Sequence, residues 1–283
     1  MTERPMPGVE AAPQPRAERR PHTDVYHGVA VEDPYHWLRE RDDPAVRAYL
    51  EAENAYTAAR TARLQPLQDA LYAEMLGRIQ QTDLSVPVRR GDYYYYSRTV
   101  EGMQYPVHCR RAVGRVGPPR RPSGGGEAGR PRLDEAGAEE VLLDLNQLAA
   151  GLEFFSLGGF EVSDDARRLA YTTDTTGMRR YQLHVKDLET GALLAHTAER
   201  VTSLEWAADD ETLFYTTEDA TTKRSDRLLR HRLGEAAVEV YHERDELYHL
   251  GVQRTRDRRY LLLGIGATDS TEVRYWPADE PEA

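Results

Sequence analysis

Phe160-Glu-Val-Ser-Asp-Asp165, then Arg168-Leu-Ala-Tyr-Thr-Thr-Asp174, then Tyr181-Gln-Leu-His-Val-Lys-Asp-Leu188: this run of short segments decides the fold, because the chain repeats it. A second copy reads Leu204-Glu-Trp-Ala207, Thr212-Leu-Phe-Tyr-Thr-Thr217 and Arg227-Leu-Leu-Arg-His-Arg-Leu233. A third reads Leu250-Gly-Val-Gln-Arg-Thr255, Arg259-Tyr-Leu-Leu-Leu-Gly264 and Thr271-Glu-Val-Arg-Tyr-Trp276. Each segment is rich in β-branched and aromatic residues and is bounded by Asp, Gly or polar turns, the signature of short strands. The copies recur at about 45 residues, within the range of propeller blades. A blade has two apolar faces and cannot bury both alone; stacking blades around an axis buries them. The pattern predicts a mainly β chain built as part of a propeller.

Upstream of the repeat, Tyr93–Tyr96, Tyr105–Arg110 and Glu140–Leu145 read as three more strands, a first blade. The total is then about three and a half to four blades. Gly114 to Gly137 interrupts this first blade. It is rich in Gly, Pro and Arg and has almost no apolar residue with which to order itself. It reads either as a disordered surface loop or as a stretch of altered reading frame. Before Asp83 the period is helical. Asp43-Pro44 is a good helix start, Asp as cap and Pro at the first helical position. Val46, Tyr49, Leu50 and Tyr56 continue a stripe to about Ala62. A second helix starts near Pro66, with Leu67, Leu71, Met75 and Ile79 on one face. Both stripes are expected to face a core. The domain plan is a disordered tail over 1–20, an arm with two helices over 21–85, and a partial propeller over 86–283 carrying the low-complexity loop 114–137.

Composition sets limits on function. The 283 residues carry 37 Lys and Arg against 48 Asp and Glu, a formal charge of -11. That balance keeps a protein soluble and argues against a nucleic-acid binder, which needs a basic face. The single cysteine, Cys109, rules out an intrachain disulfide framework and reads as a small buried strand residue. No stretch has the apolar length to cross a bilayer, and residues 1–21 have no apolar segment of the secretory kind, so the cytoplasm is expected.

The chain shows no constellation for chemistry. Gly-x-Ser-x-Gly between strand and helix is absent, and Ser123 lies in the low-complexity loop with no strand before it. There is no dinucleotide fingerprint and no phosphate loop. The pairs Asp164-Asp165 and Asp209-Asp210 recur at one blade position, which favours a turn-forming role. The segment His22 to Trp37 holds three histidines and two aspartates before the tryptophan, yet its spacing fits no common zinc pattern. It reads as an extended arm whose Val, Tyr and Trp side chains pack on another surface. No catalytic, cofactor-binding or metal-ligating residue is expected, and no cofactor.

The order of parts resembles the N-terminal portion of the prolyl oligopeptidase family of serine peptidases, in its oligopeptidase B branch. The resembling residues are Glu32-Asp-Pro-Tyr-His-Trp-Leu38, Tyr49-Leu-Glu-Ala-Glu-Asn-Ala-Tyr56, Tyr93-Tyr-Tyr-Tyr-Ser-Arg98, Gln104-Tyr-Pro-Val-His-Cys-Arg110 and Glu140-Val-Leu-Leu-Asp-Leu-Asn146. Leu169-Ala-Tyr-Thr-Thr-Asp174 and Asp187-Leu-Glu-Thr-Gly191 complete the set. The resemblance implies an incomplete seven-bladed propeller set over an α/β-hydrolase domain, with the arm and helices packed on that domain. It implies that the propeller restricts entry to short peptides and that the complete enzyme cleaves after Lys or Arg. In the family the catalytic Ser, Asp and His lie in the C-terminal hydrolase domain, and no position here matches them. The chain reads as a truncated member (a fragment, a split frame or a pseudogene product), inert alone, whose partners are the missing hydrolase domain and short peptides. A free-standing β-rich binding module is the alternative. Truncation is expected to leave a blade face uncovered around Leu261 to Leu263, Val273 and Trp276.

Overall fold

The computed structural model describes residues 13–114 and 136–282. The interruption expected over 114–137, Ser123 within it, and the first twelve residues of the expected tail fall almost wholly outside these. The chain divides into two units, Met1–Gln80 and Gln81–Ala283.

The first unit opens with a β-hairpin, β1 (Thr23–Tyr26) and β2 (Val29–Glu32), paired antiparallel. Its two-residue turn, His27 and Gly28, has φ of 52° and 84°. Positive φ at both positions matches the twist of the flanking strands, so this turn closes a hairpin where the sequence suggested only an extended arm. Val25, Tyr26, Val29 and Val31 are exposed. Trp37 is the arm's buried anchor: its indole donates to the Glu18 carbonyl at 2.9 Å, and the Arg20 guanidinium lies 4.1 Å from its ring. Glu18 to Arg20, assigned from sequence to the tail, are therefore held.

Two helices follow, α1 (Pro44–Thr61) and α2 (Gln65–Gly77), joined by a single 3-10 turn. Asp43 caps α1, its carboxylate accepting from Ala45 N at 2.8 Å. The helices sit where the apolar period puts them, but the stripe on α2 does not face a core in this unit. Leu67, Leu71, Met75 and Ile79 are 58, 47, 58 and 62% exposed. On α1 only Val46 is buried.

Among its described residues, the second unit contains four antiparallel sheets in chain order. The first is β3 (Val88–Arg90), β4 (Tyr93–Arg98), β5 (Val107–Ala112) and β6 (Glu139–Asp144), followed by a single helical turn, α3 (Leu145–Leu148). The second is β7 (Ser156–Val162), β8 (Arg168–Asp174) and β9 (Gln182–Asp187). The third is β10 (Val201–Trp206), β11 (Thr212–Glu218), β12 (Ser225–Arg232) and β13 (Val238–His242). The fourth is β14 (His249–Arg254), β15 (Tyr260–Gly266) and β16 (Thr271–Pro277). The unit begins at Gln81, five residues before the expected boundary, because 81–85 pairs with the end of β4: Ser85 N donates to Ser97 O at 2.8 Å and Thr99 Oγ1 to Gln81 O at 2.7 Å.

The core lies between sheets. Leu142, Leu143, Phe155, Val162, Leu169 and Tyr171 fill the seam of the first and second. Trp206, Leu213, Tyr215, Ala170, Leu183 and Val185 fill the next. Phe214, Leu228, Val252, Leu261, Leu263 and Ile265 fill the third. This is the blade stacking of a propeller. It also corrects the expected open face. Leu261 and Leu263 are buried against the third blade, and Trp276 packs with that cluster. The strand period of two puts Leu262, Val273 and Tyr275 on the opposite face, where Val273 and Tyr275 are 54 and 70% exposed.

Candidate functional site

The first strand of each blade carries a charge toward the same inner region. Arg90 follows from β3, Glu161 from β7, Glu205 from β10 and Arg254 from β14. Arg90 pairs with Glu161 across the first seam at 3.0 Å. Asp164, in the turn after β7, pairs with Arg254 at 2.9 Å and with Arg258. That contact joins the second blade to the fourth, past the third. Glu205 lies among these groups. Burial, and then the neighbouring Glu161 carboxylate, push its carboxyl up to about 7, with Arg258 and Arg90 opposing. Its Oε2 is shut from solvent and makes no hydrogen bond.

The turns after the inner strands are built alike. Asp165 accepts from Arg167 N at 2.9 Å, Asp209 from Glu211 N at 3.1 Å and Thr212 N at 2.9 Å, and Asp257 from Arg259 N at 3.2 Å. Ala166, Asp210 and Arg258 carry the positive φ that each turn needs. Arginines from neighbouring blades dock on this layer: Arg110 donates to Ala166 O at 2.5 Å, Arg168 to Asp210 O at 2.7 Å and Arg254 to Trp206 O at 3.2 Å. Asp210 also accepts from Asp164 N and Asp165 N, at 2.5 and 3.2 Å. The paired aspartates therefore shape and link turns.

Among the described residues, reactive groups are placed for packing. Cys109 is 1% exposed, and burial pushes its thiol up to about 11, far from a thiolate nucleophile. The His196 and His231 rings lie 3.5 Å apart, tilted by 30°, in the seam of the second and third blades. Burial, then His231, pulls His196 down to about 4. In the first unit, His22, Asp24 and His36 converge, one donor atom from each lying within 4.8 Å of the others. Linear spacing does not show this convergence; the hairpin, which folds His36 back over His22, produces it.

The family model described as prolyl oligopeptidase, N-terminal beta-propeller domain, matches residues 15–283. The chain belongs to the prolyl oligopeptidase family. Within that family, Dipeptidyl aminopeptidase BI of Pseudoxanthomonas mexicana is 41% identical over 278 residues, which are 96% of this chain and 38% of the relative. Protease 2 of Moraxella lacunata is 33% identical over 94% of this chain and 37% of its own length. The structure of oligopeptidase B from Leishmania major superposes with a TM-score of 0.80 at 28% identity, covering 94% of this chain and 38% of that one. The chain thus spans under two-fifths of the length of these relatives. No helix among the described residues is long and apolar enough to cross a membrane.

Proposed function

We propose that this chain is the arm and propeller region of a cytoplasmic serine-type oligopeptidase, scaffolding a C-terminal α/β-hydrolase domain and limiting entry to short peptides. The observation that carries the reading is coverage: the family's N-terminal domain accounts for residues 15–283, and the relatives are more than twice as long. The exposed apolar stripe on α2 and the face of Leu262, Val273 and Tyr275 fit surfaces that such a domain and a further blade would cover. By itself the chain is inert, since acyl transfer needs a nucleophile, a base and oxyanion donors held together. Cleavage after Lys or Arg follows the oligopeptidase B likeness. A dipeptidyl aminopeptidase activity is the second reading, favoured by the 41% identity to the Pseudoxanthomonas protein.

The test is to produce the chain alone, and also joined to a family hydrolase domain, and to assay both on short chromogenic peptides. The joined protein should release the chromophore after Arg or Lys from amino-blocked peptides, and the chain alone should release none. Turnover only on peptides with a free amino group two residues before the cut would select the aminopeptidase reading. Hydrolysis by the chain alone, with a serine in it labelled by a fluorophosphonate, would overturn the proposal.

A further inference from the structure

We propose that His22, Asp24 and His36 form a site for a divalent transition-metal ion of the zinc class. His22 and Asp24 are two residues apart where the chain enters β1, so an extended backbone places both side chains on one face. His36 begins the 3-10 helix His36–Arg39 beyond β2. Three backbone hydrogen bonds fix its return: Asp33 N to His22 O at 3.0 Å, His36 N to Asp33 O at 3.3 Å and Arg20 N to Pro34 O at 2.9 Å. The donor set is therefore held by the hairpin rather than by flexible loops.

The donor atoms lie near enough to be drawn around a common centre. His22 Nε2 lies 3.1 Å from Asp24 Oδ1, and His36 Nδ1 lies 3.6 Å from Asp24 Oδ2. Ligand bonds of about 2.0–2.1 Å in tetrahedral geometry put neighbouring donor atoms about 3.3 Å apart. His22 Nε2 is shut from solvent, with the Asp24 carboxylate its nearest polar neighbour. The chemistry of the set narrows the ion. Two imidazole nitrogens and one carboxylate suit zinc, cobalt, nickel or copper, whereas calcium and magnesium take oxygen shells. The side chains are 37, 33 and 22% exposed, so an ion can reach the cluster from solvent. The two imidazoles now stack at 3.5 Å, 18° from parallel. Stacked rings cannot both direct a nitrogen at one ion, so binding must unstack them.

This site is independent of the peptidase reading, and its test involves no hydrolysis. Zinc chloride is titrated calorimetrically into the full chain near neutral pH, beside His22→Gln, Asp24→Asn, His36→Gln and, as a control, His27→Gln. One saturable site is expected. Each ligand substitution should weaken it by more than the roughly tenfold that loss of an outer-shell partner costs, and His27→Gln should not. In wild type, zinc should shift the ring-proton resonances of His22 and His36 as the stack opens, and cobalt should give the visible absorption of a four- or five-coordinate site. The ring resonances decide the matter even where a substitution impairs folding. Absence of saturable binding, binding undiminished in His36→Gln, or zinc shifts on histidines other than these two among the nine would overturn the proposal.

Discussion

Gly158 and Gly159 lie where β7 bulges against β8. A Cβ on Gly158 would stand 2.4 Å from Thr172 Oγ1 and 2.8 Å from the Tyr181 ring. One on Gly159 would stand 2.7 Å from Leu204 Cδ2, across the seam. Gly159 N uses the close approach to donate to Thr172 Oγ1 at 2.8 Å. Gly158→Ala is therefore expected to cost about 1–3 kcal/mol, the range for overpacking a filled interior. Gly251→Ala, which meets nothing within 4 Å, should stay within about 0.5 kcal/mol of wild type. Urea unfolding of both variants checks this, and an unchanged midpoint for Gly158→Ala would show that Thr172 and Tyr181 can retreat. The two glycines were legible as letters, but the crowding that requires them comes from Tyr181 and Leu204, distant in the chain.

Between elements, the seam of the second and third blades holds a titrating pair. In place of a regular fourth strand, 192–198 runs along β9, with Leu194 N donating to Val185 O at 2.8 Å and Leu183 N to Ala198 O at 2.7 Å. This places His196 against His231 of β12, whose Nε2 lies 2.9 Å from Glu235 O and whose Nδ1 lies 3.4 Å from Tyr215 OH. His196 is held neutral in the fold, down to about 4, while the unfolded chain protonates it near 6.5. A depressed histidine is fully tolerated above the unfolded value, and stability is lost as pH falls from about 6.5 toward 4. The loss from this group is on the order of 3 kcal/mol. Denaturant midpoints measured across that interval should fall, and His196→Gln should flatten the decline. An equal decline in the variant would move the cause elsewhere. Glu205 acts in the opposite sense, since its raised carboxyl favours the fold at low pH and that contribution fades as pH rises from about 4.5 toward 7.

Each of the two units carries exposed apolar side chains. The stripe Leu67, Leu71, Met75 and Ile79 and the face of Leu262, Val273 and Tyr275 are each continuous in their own unit. A patch of several hundred Å² at roughly 25 cal/mol per Å² amounts to on the order of 10 kcal/mol of burial forgone. Patches of that size drive association, and unpaired strand edges template it. Produced alone, the chain is expected to self-associate despite its charge of -11, and a family hydrolase domain with further blades should restore a discrete species. Sedimentation of the chain alone as a monomer with one cooperative thermal transition would contradict this and favour a free-standing binding module.

Periodicity and turn chemistry are local, and so the sequence by itself determined the apolar strands of the blades, the switch from helix to sheet after Asp83, the capped start of α1 and the family. Alternation within each copy even sorts Leu261, Leu263 and Ile265 from Leu262, but it does not say which set meets a neighbour. That choice belongs to the packing of blade on blade, which buried the first set and left Leu262 half-buried beside the exposed Val273 and Tyr275. The short β3 and outer β13 escaped notice because Val-Arg-Arg and an exposed Val-Glu-Val carry little apolar signal. The inner charges Arg90, Glu161, Glu205 and Arg254, and the trio His22, Asp24 and His36, were likewise decided only in three dimensions. Their members are ordinary polar residues in the chain, and only strands and turns bring them into electrostatic reach of one another.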